Sequence, residues 1–213
     1  MFSTFFLEFV PPAIVVGVCI ALYVFLARER LQLLREIRTS ADNHSWNFSL
    51  KRGYRDPAEF RIQGETFSGL PWNLQTDGPN NDGNCSLRLE LTFPTLRGKS
   101  DLIVVPRDGK WEVAVPSLPE AQEFPSGLDD FDAAYKVLAA PQQMSHPPLT
   151  PALAERFVRW PKNTVTPNPV AAWRDQSGFH VEAHLSKMSN WATIEYLLNL
   201  GEDMCAQLPT PAF

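Results

Sequence analysis

The strongest constraint in this sequence is an uncharged apolar run near its N-terminus. The nineteen residues Phe9–Ala27 read FVPPAIVVGVCIALYVFLA and contain no charged side chain. As an α-helix, a run of this length extends about 28 Å, close to the hydrocarbon thickness of a bilayer. A buried core helix is the alternative, but this run is apolar on every side. The run therefore predicts a transmembrane anchor. The residues assigned to this membrane anchor are Ile14, Val18, Leu22 and Phe25.

The charges that flank the run predict how it is processed and oriented. Glu8 is the only charged side chain before it, whereas four arginines follow it: Arg28, Arg30, Arg35 and Arg38. A cleaved signal peptide has basic residues before its apolar stretch and a small-residue cleavage site after it, so we expect an uncleaved anchor. Arginine beside a span stays on the cytoplasmic side. The expected topology is a single pass with the N-terminus outside and the C-terminal domain in the cytoplasm.

Two sequence patterns bear on the compartment of the domain. The three cysteines, Cys19, Cys85 and Cys205, are too few and too far apart for a secreted disulfide framework. Three Asn-X-Ser triplets begin at Asn43, Asn47 and Asn84. They match the acceptor pattern for N-glycosylation and would matter only if the domain were lumenal, which remains the alternative topology.

The residues after the run predict a helical extension and then a linker. Leu33, Leu34 and Ile37 give the extension an apolar side that would touch the domain or a partner helix; a solvated stalk is the alternative. Thr39–Asn43 has the composition of a helix stop. The expected division is an anchor with a juxtamembrane helix at 1–39, a linker and first strand region at 40–57, a soluble domain at 58–208 and a tail at 209–213.

The rest of the chain has the size and composition of one globular domain. About 170 residues remain after the anchor, enough to bury a core without disulfides or metals. Six Trp and fourteen Phe supply core material. The formal net charge of -5 argues against a general nucleic-acid binder, so nucleic acid is not an expected partner.

The order of short elements predicts an α+β fold, with a mainly antiparallel sheet and two packed helices after the transmembrane helix. Leu87–Phe93 alternates apolar and polar residues and is the clearest half-buried strand. Thr150 followed by Pro151 is a helix start. The other expected strands are 59–63, 67–74, 102–105, 111–115, 135–138, 170–173 and 179–184. A long loop is expected at 116–132 and a last helix from about residue 190 to Pro209.

One cluster has the residue types of a metal site. On a strand, His180, Glu182 and His184 would share one face, with Phe179 and Val181 on the other. Two imidazoles and a carboxylate are ligands for divalent metals. However, same-face residues lie about 6.6 Å apart along a strand, which places the two imidazoles about 13 Å apart. We therefore interpret these residues as a solvated strand face above an apolar core face, and we expect no metal and no other cofactor.

No other pattern indicates catalysis. The sequence has no P-loop, no dinucleotide-binding glycine motif and no G-x-S-x-G elbow. Asp77–Asn84 superficially has the composition of a calcium loop, but Leu89 stands where the loop requires Glu. Cys205 lies on the apolar side of the last predicted helix and is expected to be a core residue. No catalytic residue is assigned.

Two stretches resemble a group of uncharacterised bacterial membrane-anchored proteins. Phe131–Trp160 (FDAAYKVLAAPQQMSHPPLTPALAERFVRW) has the group's Phe-led strand, short loop and Leu-Thr-Pro helix start. Phe60–Leu74 (FRIQGETFSGLPWNL) is similar to the group's earlier hairpin. The resemblance covers about half of the chain and implies a bacterial inner-membrane setting, with no established reaction to carry over.

These observations lead to two hypotheses of function. The first is a membrane-tethered, non-enzymatic cytoplasmic interaction or accessory protein, in contact with membrane lipid and with a protein partner in or at the membrane. Such a protein would serve as a subunit of a membrane complex. The alternative is a metal-dependent enzyme that uses the His180, Glu182 and His184 strand face.

Overall fold

The computed structural model describes residues 12–50, 59–77, 87–98, 102–107, 121–139, 149–160, 170–185 and 191–207. These residues form an α+β fold with a large antiparallel sheet and several helices. The helices are α1 (Pro12–Asn43), α2 (Asp129–Ala134), α3 (Pro151–Val158) and α4 (Trp191–Gln207). The strands are β1 (Asn47–Leu50), β2 (Phe60–Glu65), β3 (Pro71–Asp77), β4 (Leu87–Phe93), β5 (Leu102–Pro106), β6 (Gln122–Phe124), β7 (Tyr135–Ala139), β8 (Val170–Asp175) and β9 (Gly178–Leu185).

The nine strands of the described residues belong to one sheet in the order β1-β2-β3-β4-β9-β8-β5-β7-β6. Every pair of neighbours is antiparallel. The central pair joins β4 to β9, which are far apart in sequence, with Leu91 opposite Val181. The centre of the sheet is therefore a long-range pair, while β1–β2, β2–β3, β3–β4, β6–β7 and β8–β9 are pairs of consecutive described strands.

The main core lies between one face of this sheet and the helices. Residues of β2, β3, β4 and β9 on that face share one apolar cluster with residues of all four helices. The largest fully buried side chains include Phe60, Phe93, Phe131, Phe157 and Trp160. A second, smaller cluster lies on the opposite face and consists of Ile103, Val105, Ala171 and Trp173. Because both faces of β5 and β8 contact apolar side chains, these strands are buried along their length.

The last helix packs closely on the centre of the sheet. Leu197 and Leu198 are buried, as its apolar spacing predicts. A Cβ atom at Gly201 would lie 2.6 Å from Leu91 Cδ2 and 2.8 Å from Phe93 Cε2. Glycine is therefore needed here because α4 crosses β4 at a distance that leaves no room for a methyl group.

The first helix does not stop where the sequence suggested. We expected Thr39–Asn43 to be a helix stop and linker, but α1 continues to Asn43 and Ala41 is fully buried. The helix ends in a Schellman motif in which Ser45 has a φ of 58° and the Trp46 N–H donates to Ala41 O at 2.9 Å. The core contacts of Ile37 and Ala41 outweigh the weak helix propensity of the local residues.

Several predicted elements are confirmed. β4 has the bounds expected from its alternation, and the hairpin of β8 and β9 is present. Thr150 caps α3 by accepting a hydrogen bond from Leu153 N at 3.4 Å. The loop expected at 116–132 is wrong in its described part, where β6 forms an edge strand and α2 begins. The strand expected at 111–115 lies outside the described residues.

The transmembrane prediction concerns the start of α1. The predicted run Phe9–Ala27 is described only from Pro12 onward. Among the residues that the structure describes, no helix meets the combined requirement of length and apolarity for a membrane span.

Candidate functional site

The first candidate site is the uncovered N-terminal part of α1. From Ile14 to Phe25, the described side chains are exposed on every side of the helix. The four residues assigned to the membrane anchor are exposed by 55%, 61%, 60% and 58%: Ile14, Val18, Leu22 and Phe25. Soluble monomers rarely expose contiguous apolar surface of this extent, and such surface marks an interaction site.

The arginines predicted to set topology follow this apolar part. Arg28, Arg35 and Arg38 are exposed, and the side chain of Arg30 lies outside the described residues. Arg38 lies 3.9 Å from Asp42 one turn later. The exposed surface of α1 therefore changes from apolar to basic at Arg28.

The C-terminal part of α1 is joined to the domain by buried contacts. Ile37 is fully buried, and Leu33 and Leu34 pack against the main core. Glu36 Oε1 accepts a hydrogen bond from Trp191 N, the first residue of α4, at 3.4 Å. The sequence left three surroundings open for this extension: the domain, a partner helix or solvent. The structure places it in contact with the domain.

An aromatic cluster adds to these contacts between the end of α1 and the domain. The rings of Trp46 and His44 stack with centroids 4.5 Å apart, and Trp72 meets Trp46 edge-on at 4.8 Å. Trp191 lies 5.9 Å from Trp46. A Cβ atom at Gly64 would lie 2.5 Å from Trp46 Cδ1, so a glycine in β2 makes room for the cluster. These contacts fix the end of α1 to β1, β2, β3 and α4.

The second candidate site is a charged cluster on the sheet face opposite the main core. The β4–β9 register sets Glu90 opposite Glu182, Arg88 opposite His184 and Thr92 opposite His180. Glu182 is 1% exposed and His180 is 6% exposed. The expectation of a solvated strand face is therefore wrong for these two residues, whereas the His184 side chain is 35% exposed. The expected alternation is correct because Phe179 and Val181 lie in the main core.

Arg88 and His184 both contact the carboxylate of the buried Glu182. Arg88 Nη2 donates to Glu182 Oε2 at 2.6 Å and lies 3.5 Å from Glu90 Oε2. The other oxygen of Glu182 is 2.8 Å from His184 Nε2. Two like charges directly opposite each other destabilise a sheet. The shared arginine offsets this repulsion, so the Glu90–Glu182 pair is held by Arg88.

His180 joins the cluster to the β8–β9 turn. Its Nδ1 lies 3.5 Å from Glu90 Oε1, and its Nε2 lies 2.8 Å from Ser177 Oγ and 3.3 Å from Asp175 Oδ1. The ring stacks on Trp173 with centroids 5.2 Å apart and planes 10° apart. Both ring nitrogens thus lie near a carboxylate, so His180 links Glu90 of β4 to Asp175 at the β8–β9 turn.

The contacts of this cluster lower the pKa values of Glu90 and Asp175. The contact with His180 is the main reason that the pKa of Glu90 is lowered, and Gln75 and Arg88 add to it against the opposing effect of burial. Burial acts to raise the pKa of Asp175, but hydrogen bonds from Ser177 and the proximity of His180 outweigh it, so the pKa is lowered. Both groups are therefore stabilised as carboxylates in the folded protein.

The three residues considered for a metal site make other contacts. Glu182 binds Arg88 and His184, whereas His180 turns toward Glu90 and the β8–β9 turn. In the described part of the chain, no group of three or more His, Cys, Asp or Glu side chains is arranged to hold a metal ion. Burial strongly raises the pKa of Cys205, which suppresses its thiolate form. The contacts of this cluster link β4 to β9.

Sequence reasoning missed Arg88 and Glu90 as members of this cluster. Arg88 and Glu90 precede His180 by about ninety residues, and only the β4–β9 register brings them together. The signal that could have found them is the alternation in β4, which places Arg88, Glu90 and Thr92 on one polar face.

Comparison with known proteins adds no relative. No protein-family profile matches the chain, and no similar protein was found among curated proteins or solved structures.

Proposed function

We propose that this protein is a membrane-tethered, non-enzymatic accessory protein. In this proposal, the N-terminal part of α1 crosses the bacterial inner membrane once, and the α+β domain is held in the cytoplasm, where it contacts a protein partner. The bacterial inner-membrane setting rests on the sequence resemblance of Phe60–Leu74 and Phe131–Trp160.

One observation carries the proposal: α1 has two different surroundings along its length. From Ile14 to Phe25 its apolar side chains are exposed all round, whereas Ile37 and Ala41 are fully buried in the domain. A helix that is apolar all round is stable only where apolar surroundings cover it. The uncharged run also begins at Phe9, before the first described residue, and its full length suits a bilayer.

The orientation rests on the arginines. Arg28, Arg35 and Arg38 are exposed on the domain side of the apolar part, and the run is preceded by Glu8 as its only charged residue. Positive charge beside a span favours the cytoplasmic side. This asymmetry supports an outside N-terminus and a cytoplasmic domain.

Two exposed apolar side chains support a protein partner for the domain. Phe67, in the turn between β2 and β3, is fully exposed, and Leu50 at the end of the edge strand β1 is 52% exposed. Among the described residues, β1 pairs with a strand on one side only. An exposed strand edge with apolar side chains beside it suits pairing with another chain.

Alkaline carbonate extraction of membranes that contain the full chain tests the anchor. The matched variants are Val18→Arg/Leu22→Arg, within the apolar part, and Leu31→Arg, beyond it. Arginine near the centre of a span costs about 2.5–3.5 kcal/mol per residue. We expect the wild type and Leu31→Arg to stay in the membrane pellet and the double variant to be released. Release of the wild type by carbonate would overturn the proposal.

A further inference from the structure

The domain begins very close to the end of the apolar run. Ala27 is the last residue of the run, and Leu33 already packs against the main core. An α-helix rises about 9 Å over the six residues between these positions. The polar interface of a bilayer is about 5–8 Å thick on each side of the hydrocarbon. The space left between headgroups and domain is therefore only a few ångströms, about the size of one side chain.

The joint between α1 and the domain prevents the domain from moving away. The helix is continuous from Pro12 to Asn43, with no break between the apolar part and the buried part. The buried residues Ile37 and Ala41 and the stacked pair His44–Trp46 attach it to the sheet and α4. A tilt of the helix would lower one side of the domain further toward the bilayer.

Leu31 fits this geometry. It is 54% exposed although it is apolar, and it lies four residues beyond Ala27, about 6 Å along the helix axis. That height falls within the polar interface of the leaflet. Arg28, also exposed, precedes it at the same boundary, where a long cationic side chain reaches phosphate groups.

We propose that the domain lies directly on the phospholipid headgroups of the bilayer that holds α1, with no water-filled gap beneath it. This inference rests on the proposed function, because it requires the apolar part of α1 to be in the membrane. The surface involved is the side of the domain from which α1 emerges at Leu33. The protein is then both anchored in the membrane and seated on its surface, so a partner must approach the domain from the side or from above.

Neutron reflectometry of the full chain in a supported phospholipid bilayer tests the contact. One variant carries seven helix-forming residues between Arg28 and Glu29, which lift the domain by about 10 Å and turn it by only about 20°. The control carries the same seven residues at the N-terminus. An unchanged melting temperature for each variant establishes that its domain is folded.

The wild type and the control are expected to show protein density that begins at the headgroup layer. The insertion variant is expected to show a water layer of about 10 Å between headgroups and protein. A water layer already present in the wild type, or none in the folded insertion variant, would overturn the inference. Protein that washes off the bilayer altogether would instead refute the anchor, so the two failures are distinguishable.

Discussion

Truncation of Ile37 tests whether the end of α1 belongs to the domain core. This side chain is fully buried in the cluster that joins α1, α4 and the sheet. Replacing a buried Ile with Ala removes its apolar contacts and leaves a cavity, at a cost of about 2–5 kcal/mol. For a domain of about 170 residues, each kcal/mol lowers the melting temperature by about 2–4 °C. Ile37→Ala is therefore expected to lower it by about 4–20 °C.

The assay is thermal unfolding of the full chain in detergent micelles, followed by circular dichroism. Leu31→Ala is the matched control, because it removes an apolar side chain from the same helix at a position that is 54% exposed. A change within about 0.5 kcal/mol is expected there. If Ile37→Ala melted at the same temperature as the control, α1 would be a tether outside the core, and the reasoning about its joint would fail.

Four further predictions follow from individual residues. Because the folded-state pKa of Glu90 is lowered, its contribution to stability is complete above the ordinary carboxyl pKa of 4.5 and is lost as the pH falls through the folded value. Glu90→Gln should therefore lower the melting temperature near neutral pH, and a difference in melting temperature from the wild type that did not shrink in acid would contradict this. Gly201→Ala should destabilise the protein by about 1–3 kcal/mol, because the added methyl group would meet Leu91 and Phe93, whereas the exposed control Asn199→Ala should not destabilise it; equal melts would refute the close packing of α4. Cys205 should resist alkylation at mildly alkaline pH until the protein unfolds, as read from the mass of its own peptide after digestion, because Cys19 and Cys85 also carry thiols, and rapid labelling of Cys205 in the folded protein would contradict its burial. A reporter active only in the periplasm, fused after Phe213, should be silent, and strong activity would reverse the predicted topology.

The strands and helices with clear periodicity could be predicted from sequence. The alternation from Leu87 to Phe93 defines β4, and the capping residue Thr150 with Pro151 defines the start of α3. These signals are local, because each depends on residues within a few positions. The close approach at Gly201 also has a local signal, since this glycine falls on the apolar side of α4.

The predicted end of α1 was wrong because the contacts that determine where the helix ends are not local in sequence. Thr39, Ser40 and Asn43 favour a helix stop, but Ile37 and Ala41 gain core contacts only if the helix continues. The left-handed residue after the helix is Ser45 where glycine is usual, so the Schellman motif left no recognisable signal in the sequence.

The charged cluster could be predicted only in part. The shared face of His180, Glu182 and His184 follows from the period of a strand. Its burial and its partners follow from the pairing of β4 with β9, and no local pattern specifies that register. The carboxylate pair Glu90–Glu182 is an arrangement that sequence reasoning would avoid, because it is stable only with Arg88 between the two groups.

The central claim is that α1 is one helix with lipid around its N-terminal part and the domain around its C-terminal part. Amide hydrogen exchange of the full chain in lipid nanodiscs measures both parts at once. We expect slow exchange for Ile14–Phe25 and for residues 33–43, with faster exchange for residues 28–32 at the interface. Fast exchange throughout Ile14–Phe25 in the nanodisc, with residues 33–43 still protected, would contradict the claim, because it would show a domain-bound helix whose apolar part lies outside the membrane.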